Sequence, residues 1–143
     1  MTMSEYALKF VGRPYIYGGD GSGKSYGGFD CSGLVMECLW AFGRLPKRDL
    51  TAHGIHAALL DSGWEDVPPR ADMTMAGDIL FFGKDARHIT HTAICCQHGL
   101  MVEVGGGSSR CKDVKSSTGM VRVRPISSRN DLVAVLCGDR VME

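Results

Sequence analysis

The chain has 143 residues, 44% of them hydrophobic, which is enough for one domain with its own core. Lys plus Arg and Asp plus Glu both total 16, which excludes an overall basic surface for nucleic acid and an acidic solvating tail. No apolar run approaches the ~18 residues that span a bilayer, so no membrane insertion is expected.

Ser4 to Val11 opens on a good capping residue and carries Tyr6, Ala7 and Phe10 at helical spacing, which predicts a short helix ending before Gly12. Arg13 to Phe29 is glycine-rich and predicts a loop. Within it Gly18 to Ser25 meets the spacing of a phosphate-binding loop, yet no buried strand precedes it and Tyr26-Gly27-Gly28 would break a following helix. The segment is therefore read as the rim of a cleft.

Cys31 to Phe42 has an apolar stripe of Leu34, Val35, Cys38, Leu39 and Phe42, with Asp30 as N-cap and Gly43 just past the end. Cys31 shares that stripe, so its thiol is expected to face inward from the positive end of a helix, where a thiolate is favoured. A second helix is predicted from Thr51 to Leu60, capped by Thr51, with Ile55, Leu59 and Leu60 toward the core. After Pro68-Pro69 the pattern turns to strands: Ile79 to Phe82, His91 to Cys96, Leu100 to Val104, Val121 to Val123 and Val133 to Leu136. Helices followed by an antiparallel sheet make an α+β domain, expected to occupy residues 1–143 without a second unit.

The six cysteines, Cys31, Cys38, Cys95, Cys96, Cys111 and Cys137, are expected as free thiols, since several lie within apolar runs and no paired C-x-x-C suits a metal. A nucleophilic cysteine needs a base, and five histidines are available. His53, His56, His88 and His98 fall on the second helix or beside turns. His91 instead opens an apolar strand, sharing a face with Ala93 and Cys95. A three-residue turn at Gln97-His98-Gly99 would pair Ala93 with Glu103 and set Glu103 diagonally across from His91 on that face. A two-residue turn would send it to the other face. Glu103 thus reads equally as an orienting acceptor for His91 or as an exposed strand glutamate. The sequence does not give the function of Arg122 and Arg124, for which strand-surface charge is the plain reading.

Tyr15-Ile16-Tyr17-Gly18-Gly19, Gly28-Phe29-Asp30-Cys31-Ser32-Gly33-Leu34-Val35, Gly77-Asp78-Ile79-Leu80-Phe81-Phe82 and His91-Thr92-Ala93-Ile94 together resemble the NlpC/P60 cysteine peptidases in order and spacing. The resemblance covers nearly the whole chain. It implies a papain-like α+β fold with N-terminal helices packed on an antiparallel sheet, Cys31 as nucleophile, His91 as general base and Glu103 as the third polar residue. The family more often carries His, Asn or Gln at that third place and H-V-G-I in the strand.

The resemblance further implies hydrolysis of an amide in a peptidoglycan stem peptide, often the γ-D-glutamyl bond to a diamino acid, through a thioester and with no metal or cofactor. It makes Asp30 and Ser32 contacts to the peptide's free amine and Tyr17 a phenol donor to the oxyanion; as plain residues, Asp30 is a helix cap and Tyr17 a packed loop aromatic. The first residues, Met1-Thr2-Met3-Ser4-Glu5, lack the basic-then-apolar pattern of a secretory signal. Delivery is therefore expected from other proteins, as for compact peptidases of bacteriophage tails or prophages, whose tail proteins would be partners. The alternatives are an amidase, deamidase or acyltransferase on another substrate, and a tail or assembly module whose cleft only binds.

Overall fold

A computed structural model describes residues 1–138. Three helices come first: α1 (Met3–Leu8), α2 (Cys31–Ala41) and α3 (Ala52–Asp61). Six strands follow: β1 (Glu65–Val67), β2 (Ile79–Gly83), β3 (Ile89–Gln97), β4 (Leu100–Gly105), β5 (Met120–Pro125) and β6 (Leu132–Cys137). They form one sheet in the order β1-β6-β2-β3-β4-β5 with antiparallel pairings throughout. The α+β architecture expected from the sequence is the one observed. Among the described residues no helix is long and apolar enough to cross a membrane.

The helix starts follow their caps. Thr2 and Glu5 form a reciprocal capping box, so α1 begins ahead of Ser4, which is buried inside the helix rather than capping it. Asp30 accepts from the Gly33 N–H at 2.7 Å and starts α2. Thr51 does the same for α3 through Gly54 N at 3.0 Å. Leu60, expected in the core, is 41% exposed on the outer side of α3 while Ile55 and Leu59 are fully buried. The sequence reading contains no counterpart of β1: three residues, two of them acidic, carry too little alternation to signal a strand.

One apolar cluster lies between the helices and the sheet, with Phe29, Leu34, Leu39, Ile55, Phe81, Ile94 and Val102 among its buried members. Leu80, Phe82, Ala93, Cys95, Met101, Ile126 and Val135 form a smaller cluster on alternate strand positions, hence on the opposite face. Ala93 therefore packs on the face away from the helices.

The β3–β4 hairpin combines both turn geometries considered above. Gln97 pairs with Leu100, so the loop is the two-residue His98-Gly99, with Gly99 at φ +76°. Cys96 is then skipped as a bulge, and Cys95 pairs with Met101 and Ile94 with Val102. One further step places Ala93 opposite Glu103, and the bulge has restored the register that a two-residue turn alone would have lost.

Candidate active site

The glycine-rich segment reaches α2 through backbone pairing. Tyr15 and Asp20 each bridge to Phe29, and Asp30 N donates to the Gly19 carbonyl at 3.1 Å. A Cβ on Gly33 would lie 1.9 Å from that same carbonyl oxygen, so the loop can cross the first turn of α2 only because residue 33 is glycine. Gly23–Ser25 is a single 3₁₀ turn followed by Tyr26 in the left-handed region, with no helix to cradle a phosphate. The segment is, as read, a cleft rim.

Cys31 is the first residue of α2, at the positive end of the helix with its unpaired N–H groups. It lines a cleft with Tyr15, Thr90, His91, Arg122 and Arg129. His91, 9% exposed, is the one histidine of the five among the cleft residues. Its Nε2 lies 2.9 Å from Oε1 of Glu103, which is 1% exposed. With Nε2–H donated to the carboxylate, Nδ1 is the ring nitrogen left for Cys31. Burial would lower the His91 pKa, but hydrogen bonding to Cys31 and to Glu103 outweighs it and holds the imidazole above its usual range. Burial would raise the Glu103 carboxyl in turn. The bond and charge of His91 and the Arg122 contact bring it down to about 2.

Arg122 stands directly opposite Glu103 in the β4–β5 ladder, and its Nε donates to Glu103 Oε2 at 2.9 Å. Arg124 Nη1 lies 3.6 Å from the same oxygen. The sequence left the function of both open, with surface charge as the plain reading. Their i, i+2 spacing puts them on Glu103's face, a signal that becomes usable only once the pairing of β4 with β5 is known. Arg129 sits 4.9 Å over the Phe82 ring and is held by Asp131 through two bonds of 2.9 and 2.8 Å. Phe82 in turn packs 5.5 Å from the His91 ring.

Asp30 and Ser32 line a neighbouring recess with Gly18, Asp20 and Glu37, so alternate residues of the D-C-S run face two sides of the helix start. Ser32 Oγ donates to Asp30 Oδ1 at 3.3 Å. Burial pushes the Asp30 carboxyl up, against the lowering effect of the Gly33 N–H and Ser32 bonds. Tyr17 is 60% exposed and does not line the cleft, whereas Tyr15, two residues earlier, does. Burial, then electrostatic repulsion from the neighbouring Cys31 and Asp30 side chains, raises the Tyr15 phenol to about 12. A Cβ on Gly107 would lie 2.1 Å from the Tyr15 ring, so a bare backbone gives that ring its seat. Tyr15 is the cleft residue that motif reading passed over in favour of Tyr17.

Two of the remaining histidines are hydrogen-bonded elsewhere. His88 Nδ1 lies 2.8 Å from Asp85, and His98 Nδ1 takes the Thr74 carbonyl at 3.0 Å. His56 packs its ring edge-on to Phe81, and burial lowers its pKa. The six cysteines are free thiols, and among the described residues no group of His, Cys, Asp and Glu is placed to hold a metal ion.

The NlpC/P60 family profile matches residues 12–124, which include the glycine-rich rim, Cys31, His91 and Glu103. The bifunctional muramidase/DL-endopeptidase CwlT of Bacillus subtilis is 31% identical over 121 residues, covering 80% of this chain and 32% of that protein. This chain thus spans about a third of that relative's length. Among solved structures, the NlpC/P60 domain of the peptidoglycan hydrolase SagA superposes with a TM-score of 0.67 at 20% identity, over 96% of this chain and 97% of that one. RipD of Mycobacterium tuberculosis, described as a non-catalytic NlpC/P60 domain protein adapted to peptidoglycan binding, gives 0.65 at 21% identity, over 96% and 98%. With the profile spanning most of the chain, and Cys31 and His91 lining one cleft, the chain belongs to the NlpC/P60 family.

Proposed function

We propose that this chain is a cysteine peptidase that hydrolyses amide bonds in peptidoglycan stem peptides, with the γ-D-glutamyl bond to a diamino acid as the target. The observation that carries the reading is the His91–Glu103 hydrogen bond beside Cys31 at the start of α2. Cys31 thiolate attacks the carbonyl carbon, and the Cys31 N–H and the Tyr15 phenol are the donors available to the developing oxyanion. The His91 imidazolium gives its proton to the leaving amine, which departs and leaves a thioester on Cys31. His91, now neutral, takes a proton from water; hydroxide attack releases the acid and restores the Cys31 thiolate beside the His91 imidazolium. Glu103 fixes the imidazole tautomer throughout. Asp30 and Ser32, in the adjoining recess, are proposed to take the stem peptide's free amine.

The test is digestion of purified peptidoglycan with the wild-type chain and with Cys31→Ala, followed by mass spectrometry of the released fragments. Fragments cut at one stem-peptide bond are expected from the wild type alone; equal release by the variant would sink the thiol mechanism. The second reading, a binding module, is favoured by the likeness to RipD. It predicts wall binding without fragments and a Cys31 inert to iodoacetamide near neutral pH.

A further inference from the structure

Glu103 is a buried carboxylate with two different jobs on its two oxygens. Oε1 takes His91, and Oε2 takes Arg122 at 2.9 Å with Arg124 at 3.6 Å. A free carboxylate against an imidazole would hold the imidazolium so firmly that it would give up its proton reluctantly, and burying that charge unpaired would be costly. We propose that Arg122 is a positioning residue that neutralises and aims Glu103, so that the pair presents to His91 an acceptor of little net charge. This rests on reading Cys31 and His91 as the reacting pair.

Two features of the fold fit the role. Register places Arg122 opposite Glu103, so the contact is fixed by the ladder rather than by a mobile side chain finding a partner. Gly105 leaves the guanidinium its space: a Cβ there would lie 2.5 Å from Arg122 Nη2 and 3.0 Å from Glu103 Oε2. Around His91 the other groups are Cys31 from α2, Phe82 from β2, and Arg129 with its partner Asp131 just before β6. Asp131 already offsets Arg129 through the two-bond contact, which leaves Arg122, with Arg124 farther off, to offset Glu103.

The experiment is an NMR titration of isotope-labelled histidine in the Cys31→Ala chain, with His91 assigned by His91→Gln. Removing the thiol uncouples His91 from Cys31, and no substrate is used, so the outcome is independent of which bond, if any, the chain cleaves. Arg122→Gln is expected to raise the His91 pKa by about one unit, and Glu103→Gln to lower it by about one. The double variant Arg122→Gln with Glu103→Gln returns it to within about 0.3 unit of the parent, and Arg122→Lys, which keeps the charge, does the same. Should Arg122→Gln fail to fold with its unpaired carboxylate, the step from Glu103→Gln to the double variant reads the Arg122 charge with no carboxylate present. A double variant that titrates like Glu103→Gln alone overturns the proposal, as does an Arg122→Lys value displaced from the parent by the amount expected for Arg122→Gln.

Discussion

Asp30 accepts a 2.7 Å hydrogen bond from Gly33 N, so the residue before Cys31 holds the first turn of α2 while its carboxyl lines the neighbouring recess. The two jobs separate by substitution. Asp30→Asn keeps a capping oxygen and removes the charge; stability should stay within about 0.5 kcal/mol while KM for a peptide with a free amine rises about tenfold. Asp30→Ala should lose a further ~1 kcal/mol of stability. An N-acetylated peptide that responds to Asp30→Asn as strongly as the free amine would remove Asp30 from amine recognition.

The pH dependence of turnover follows His91. Its folded pKa lies above 6.5, so the protonated form persists past that pH and the imidazolium needed by the leaving amine disappears only as pH rises through the higher value. The alkaline limb of kcat is therefore expected above pH 6.5. The stability that His91 gains from protonation is full below 6.5 and fades over the same rise. His91→Ala should lower kcat/KM by about 10²–10⁴-fold. A rate profile falling at or below 6.5 would contradict this.

Acid sensitivity follows Glu103. Its folded pKa is about 2 against an ordinary 4.5, so the unfolded chain takes up a proton first, and stability is lost as pH falls from about 4.5 toward 2. Urea unfolding across that range should show a decline that Glu103→Gln flattens, at the cost of lower stability at pH 7.

The two tyrosines of the rim should behave differently. Tyr15→Phe removes a phenol within the cleft and is expected to reduce kcat about 10- to 100-fold with little change in fold. Tyr17→Phe alters an exposed side chain and should stay within about twofold. Equal losses from both would return Tyr17 to the role that the family resemblance implied for it.

The sequence made α2 legible because local chemistry specifies it: a capping Asp, an apolar stripe and a terminal Gly act over neighbouring residues. His91 was legible for a related reason, as the histidine at the head of an apolar run, although β3 itself starts two residues earlier at Ile89. The Tyr15–Tyr17 choice was not, since strand alternation has no force in a glycine-rich loop and both residues fit the same motif. Arg122 and Arg124 looked like solvated charges because their partner lies on another strand, and a register between β4 and β5 joined across residues 106–119 cannot be counted along the chain. Leu60 was assigned to the core by spacing alone, and α3 turns it outward.

The bulge at Cys96 has a consequence for how hairpin length can change. Turns are the places where insertions and deletions are ordinarily absorbed. A side chain paired across a hairpin is exposed to that drift, because a shift by one position reverses the face it occupies. Here the surplus residue sits outside the ladder, between the loop and the His91–Glu103 pair. Deleting Cys96 would straighten β3 and leave Ile94 against Val102. Adding a residue to the loop could be met by drawing Cys96 into a pairing with Leu100. In either case His91 and Glu103 remain on one face, so the hairpin tip is free to vary in length by a residue without uncoupling His91 from Glu103.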